Sequence, residues 1–195
     1  MKSNRIHLAA AGAVVAVVAT AVAAVAGGSS KSAPPPFSAG TPVARTAFSH
    51  ADQAFLARIG ATGQITRLGL KDGVAFYAVA SSDAGRCFAT GMISGGLSGG
   101  CLDAGKSVPE VVDMSAVVMN PADASWRLQT LQGVAADGIT KVGFVDATGT
   151  LHTTPVTGNV YRLSGQSWQG GSASELQAFD ARGNLVFSER VGGAS

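Results

Sequence analysis

The residues best suited to chemistry are Ser98, inside Gly96-Leu97-Ser98-Gly99-Gly100, and His152, with several aspartates between them. That pentapeptide has the G-x-S-x-G spacing in which a strained turn lifts a serine hydroxyl above a sheet. Ser98, a later aspartate and His152 also stand in the chain order of an α/β-hydrolase triad. The surroundings oppose the match. The elbow needs a strand before the serine and a helix after it, whereas glycines and serines flank Ser98 and Cys101 follows three residues on. A flexible loop closed by a disulfide requires the same residues without catalysis. A small envelope serine hydrolase using Ser98 and His152 is therefore the alternative reading, and no catalytic residue is assigned.

Metal and cofactor chemistry have less support. Beyond the N-terminal run the histidines are His50 and His152, and there is neither a Cys-x-x-Cys pair nor an Asp-x-Asp-x-Asp loop. No phosphate-binding loop and no G-x-G-x-x-G occurs, so no cofactor and no metal is expected. The two cysteines, Cys87 and Cys101, are expected to form one intrachain disulfide if the chain is exported. Trp168 lies in the polar stretch from Ser164 to Ser172. Its ring either packs back on the fold or contacts a ligand such as a cell-wall sugar, and packing back is favoured because tryptophan seldom stays exposed.

The chain carries 14 Lys+Arg against 12 Asp+Glu, and two of the bases, Lys2 and Arg5, head an apolar N-terminal run. The remaining charge is balanced and unclustered. Nucleic acid and anionic membrane surfaces both need a positive field, so neither is expected as a partner.

The elements that would position these residues are short strands. Ser49 is a helix N-cap with Asp52 at the acid position of a capping box and Gly60 past the end; Ala51, Phe55 and Ile59 form the apolar stripe. From Gln64 the period becomes two. Ile65 to Leu70 and Val74 to Ala80 flank the hairpin signal Lys71-Asp72-Gly73, and Arg86 to Thr90 follows Ser81 to Gly85. The loop from Met92 to Gly100 precedes Cys101. Val108 to Val112, Ala116 to Met119 and Trp126 to Val134 read as further strands. Thr140 to Phe144 alternates with Val142 and Phe144 on one side, and Ile139 is out of phase, which a bulge near Gly138 repairs. Asp146-Ala147-Thr148-Gly149 and Asp180-Ala181-Arg182-Gly183 carry the same turn chemistry, the second joining Glu175 to Phe179 with Leu185 to Ser188. Short strands, one short helix and 26 glycines predict a mainly β fold, an antiparallel β-sandwich of immunoglobulin-like architecture, with an open barrel as the alternative.

Gly133 to Gly138, Val156 to Tyr161 and Asp180 to Gly183 stand as Gly-x-Ala-x-Asp-Gly, Val-x-x-Asn-Val-Tyr and Asp-Ala-x-Gly. Over roughly this last third, the chain resembles a loose group of uncharacterised exported β-rich proteins of high-GC Gram-positive bacteria. The resemblance implies an extracytoplasmic β-rich domain and supplies no activity.

The N-terminal run from Leu8 to Ala26 closes on Ala24-Val25-Ala26, a small-x-small cleavage signature. Residues 1–26 read as a signal peptide or an uncleaved membrane anchor, and both put the remainder outside the cytoplasmic membrane. Residues 27–46, rich in Gly, Ser and Pro, read as a flexible linker, and 47–192 as one domain. The expected role is a non-enzymatic cell-envelope domain that binds or spaces something, with a cell-wall component or an envelope protein as partner. A sensor or inhibitor of an envelope enzyme is a further class. Membrane contact is expected only through the N-terminal segment.

Overall fold

Antiparallel pairing accounts for every strand contact in the computed structural model, which describes residues 15–17, 40–80, 86–91, 95–102, 110–120, 125–164 and 167–191. In chain order the elements are β1 (Val15–Val17), β2 (Thr41–Val43), α1 (His50–Arg58), β3 (Ile65–Lys71), β4 (Val74–Ala80), β5 (Arg86–Gly91) and β6 (Leu97–Leu102). Next come β7 (Val111–Asp113), β8 (Ala116–Met119), β9 (Trp126–Ala135), β10 (Ile139–Val145) and β11 (Leu151–Pro155). The last are β12 (Val160–Leu163), β13 (Trp168–Gln169), β14 (Glu175–Asp180) and β15 (Leu185–Arg190).

The strands form three sheets. The first is the meander β2-β3-β4-β5-β6; the second is built on β9, which pairs with β7, β8, β12 and β13, while β1 lies along β8; the third runs β11-β10-β14-β15. The expected mainly β, antiparallel build is what the chain forms, and among the described residues its layers are three sheets and one α-helix.

The burial of alternate residues explains the stacking. In β5, Cys87 and Ala89 face a core with Leu56 and Ala61 from α1 and its C-terminal turn, while Phe88 faces Val112, Met114, Val134 and Val160 of the second sheet. Strand β9 is likewise apolar on both sides. Its Val134 meets the first sheet, and Leu128, Leu131 and Ala135 meet Val142, Phe144, Leu176 and Phe187 of the third. The second sheet is therefore central and has a core on either face, which is why its sequence lacks the one-sided alternation of a solvent-facing sheet.

Local chemistry sets the helix ends. Ser49 Oγ accepts the Asp52 backbone N–H at 3.1 Å and donates to the Asp52 carboxylate at 2.7 Å, and Gly60 closes the helix with φ 79°. The buried helix side chain is Leu56, with Phe55 and Ile59 packed beside it; Ala51, expected in that stripe, faces solvent. Asp72 and Gly73 turn β3 into β4 with positive φ, as the hairpin signal requires.

Residues 41–46, assigned to the linker on composition, belong to the fold. Strand β2 pairs with β3, and Arg45 Nη2 donates to Ala61 O at 2.7 Å. The expected signal or anchor lies outside the described residues except for Val15–Val17, and residues 27–39 of the linker lie outside them altogether. Among the described residues no helix is long and apolar enough to cross a membrane.

Candidate functional site

Four arrangements could do chemistry or bind, and each is fixed by an element already described.

The first is the serine motif. Ser98 sits inside β6, paired with Thr90, so the expected loop is an edge strand from Leu97 on, while Met92 to Ser94 lie outside the described residues. Gly99 explains this. A Cβ there would lie 2.8 Å from Ala89 Cα and 3.0 Å from Phe88 C, so only glycine lets β6 approach β5 so closely. A strand running straight through Ser98 is not the strand-turn-helix elbow that exposes a nucleophile. His152 is in β11 of the third sheet, opposite Phe144, and the central sheet lies between the sheets that carry the two residues.

Cys87 and Cys101 occupy directly opposed positions of β5 and β6 and form the expected disulfide, with Cα atoms 3.9 Å apart. The bridge staples the edge strand to its neighbour and faces the core beneath α1, where Cys87 is fully buried.

The second arrangement surrounds His152. Its Nε2 lies 2.8 Å from Asp146 Oδ2, and its ring stacks against Trp168 with centroids 5.0 Å apart. Asp146 Oδ1 accepts the Thr148 and Thr150 backbone N–H groups at 2.8 and 3.0 Å and the Thr148 hydroxyl at 2.6 Å. The histidine and these donors hold the Asp146 carboxyl well below the usual carboxylate range. Both oxygens are thus committed to holding the β10–β11 turn. The Trp168 ring is 5% exposed and packs toward Phe144 in the core, so its body is taken up by the fold.

The third arrangement is a cleft of about 460 Å³ on the third sheet, lined by Thr140, Lys141, Thr153, Pro155 and the β14–β15 turn with Arg182. Lys141 Nζ lies 5.1 Å over the Phe179 ring. Asp180, the acid on this rim, accepts the Arg182 and Asn184 backbone N–H groups at 2.8 and 2.9 Å, the same wiring as at Asp146. The Asn184 side-chain amide, which donates to Asp180 Oδ2 at 2.9 Å, and then these backbone bonds hold its carboxyl below the ordinary value. The cleft can receive a small anionic or hydroxyl-rich group.

The fourth lies between the central and third sheets and has no counterpart among the expected site residues. Asp113, at the end of β7, accepts the Ser115 hydroxyl and, at 3.3 Å, the hydroxyl of the fully buried Tyr161. Desolvation outweighs these bonds and pushes the Asp113 carboxyl up to about 6. Glu189 of β15 is pushed up to about 7, first by desolvation and then by the charge of Asp113. Tyr161 is raised well above its ordinary value by burial and by Asp113. The available signal was parity: Glu189 is two residues from the inward-facing Phe187, and on a strand it must share that side.

Arg162, 5% exposed, is a buried cation that was also missed. It donates from Nε to Gln132 Oε1 at 3.1 Å and from Nη1 to Ser164 Oγ at 3.0 Å, and pairs with Asp72 at 3.4 Å, tying the β3–β4 turn to the central sheet. No group of three or more His, Cys, Asp or Glu among the described residues could hold a metal ion.

Compared with known protein families, curated proteins and solved structures, the chain matches none.

Proposed function

We propose that this chain is a non-enzymatic extracytoplasmic domain of the cell envelope, with a binding or spacing role. The observation that carries the reading is the Cys87–Cys101 bridge, because disulfides persist in oxidising compartments and are rare where thiols are kept reduced. The apolar N-terminal run and the Gly/Ser/Pro segment after it are consistent with export and with a tether. The surface offered to a partner is the cleft beside Lys141 and Arg182, whose chemistry suits an anionic cell-wall polymer.

Fractionation of cells expressing the full chain tests the location: recovery in the cytoplasm with two free thiols would end the reading. Cosedimentation with isolated cell walls tests the binding role. Retention that falls in Lys141→Ala/Arg182→Ala supports the cleft, and no retention of the wild type leaves spacing alone. A serine-reactive fluorophosphonate tests the hydrolase alternative; labelling that disappears in Ser98→Ala would replace the present reading.

A further inference from the structure

We propose that the outer face of the third sheet binds an acidic glycan in which a carboxylate-bearing sugar is followed by a neutral one, with the carboxylate at Lys141 and Arg182 and the neutral ring across Gly143. The inference rests on the reading of the cleft as an anion site and gives that site a substrate class. Directly opposed residues of an antiparallel ladder share a face, so the ladder β11-β10-β14-β15 sorts its outward residues into rows. Val142, Phe144, Leu176 and Ala178 point into the core, and the residues between them point outward. Lys141 pairs with Phe179, Gly143 with Thr153 on one side and Gln177 on the other, and Val145 with Glu175. Successive rows are two residues apart, about 7 Å along a strand.

The first row is positive. Lys141 Nζ lies 5.1 Å over the Phe179 ring, and Arg182 lines the same cleft. Among the described residues neither cation is in an ion pair. Asp180, the acid on this rim, has its oxygens taken by the Arg182 and Asn184 backbone N–H groups and the Asn184 side-chain amide. Lys71 of β3 donates to Pro155 O, which also lines the cleft. Lys141, Arg182 and Lys71 against Asp180 leave the rim with a positive field and with N–H donors for an incoming carboxylate.

The second row is uncharged and low. A Cβ on residue 143 would lie 2.7 Å from Leu151 Cδ1 and 3.1 Å from Thr153 Cγ2, so the glycine lets Leu151, 43% exposed, lean across the sheet as an apolar floor. Thr153 and Gln177 flank it with a hydroxyl and an amide. Gln177 Nε2 donates to Glu175 Oε2 at 3.1 Å, which leaves its Oε1 to accept from a ligand. A pyranose ring has an apolar C–H face and a rim of hydroxyls, and this floor with polar groups at its edges matches both. In the third row Glu175 accepts from Gln177 and Ser188, and Arg190 opposite it leaves the row without net charge. The face thus offers one anion site followed by neutral ground. A polyol phosphate, or a polymer with an acid on every unit, sets its second anion about one row on, some 7 Å away, where no cation stands and Glu175 is next. A glycan with its acid on alternate units avoids that clash.

Calorimetric titration of the full chain, held in a neutral detergent, tests the proposal. An oligosaccharide alternating glucuronate with N-acetylglucosamine should bind. Oligomers of N-acetylglucosamine alone, of galacturonate alone and of glycerol phosphate should each bind about tenfold more weakly or worse, the equivalent of one charge-assisted hydrogen bond. Lys141→Ala/Arg182→Ala should weaken the alternating oligosaccharide by about tenfold or more, and Gln177→Ala by about fivefold, the worth of a neutral hydrogen bond. Glu175→Gln should strengthen binding of the galacturonate oligomer. No binding of the alternating oligosaccharide, equal binding of the glycerol phosphate oligomer, or full affinity in Gln177→Ala would each overturn the proposal. Cell-wall retention that still depends on Lys141 and Arg182 would then keep the anion reading of the cleft, so the two failures are told apart.

Discussion

The ring of Tyr161 lies across Gly133: a Cβ at residue 133 would be 2.7 Å from the tyrosine Cζ and closer still to its hydroxyl and to Val112 O. The absence of a side chain at 133 makes room for the phenol to cross the sheet and reach Asp113 on the neighbouring strand. Gly133→Ala should therefore destabilise the fold by about 2 to 3 kcal/mol, because the nearby backbone cannot yield as a flexible side chain would. A urea titration should show a lower midpoint at unchanged slope. An unchanged midpoint would mean that the two strands separate freely.

The same cluster predicts how stability depends on pH. Asp113 and Glu189 have folded pKa values above their unfolded ones, so the folded state binds protons more tightly. Their contribution is most favourable below about pH 4 and declines as pH rises through 6 to 7. Asp146 and Asp180 are lowered, so theirs is present above the unfolded carboxylate value and is lost as pH falls below it. The melting temperature should be highest near pH 5 and should fall toward pH 8. A curve that keeps rising from pH 5 to 8 would contradict the assignment.

Breaking the Cys87–Cys101 bridge should cost about 3 kcal/mol on the chain-entropy account, given its sequence separation of 14. Mass spectrometry with alkylation before and after reduction checks the pairing, and thermal melts of a Cys87→Ala/Cys101→Ala variant check the cost. Alkylation of both thiols without prior reduction would refute the bridge.

The twin turns permit an internal comparison. Asp146 and Asp180 each accept from the residues two and four positions on, but Asp146 also holds His152, and its own side chain is largely buried. Asp146→Ala should therefore lower the melting temperature clearly more than Asp180→Ala, the former losing a buried hydrogen-bond set and the latter an exposed turn. Equal shifts would show that His152 adds nothing.

These turns were legible because their chemistry is local: an aspartate bonds its own backbone and a glycine three residues on takes φ near 82°. The displaced Ile139 was legible too, and the ladder does shift between Ile139 and Lys141. What could not be read depends on contacts distant in sequence. Strand β6 carries Leu-Ser-Gly-Gly-Cys-Leu, with too few side chains to show a period, and it pairs because Gly99 fits against β5. The sandwiching of β9 is likewise invisible, since both of its faces are apolar only when two other sheets arrive. Asp113 closes an ordinary apolar run, and nothing in that run shows that a tyrosine 48 positions later will donate to its carboxyl.

The layers also differ in how the chain visits them. The first sheet takes its strands in uninterrupted order, β2 to β6, whereas the second and third draw theirs alternately, the chain leaving β9 for β10 and β11, returning for β12 and β13, and leaving again for β14 and β15. Each neighbour in the meander can be gained by closing a short loop, but the other two layers must collapse around each other before either is complete. Loop-closure entropy then places the rate-limiting step of folding in the C-terminal half. A newly synthesised chain would carry a finished hairpin array while its partner surface was still unbuilt, and during that interval Phe76, Phe88 and Leu68 would be the residues most in need of cover.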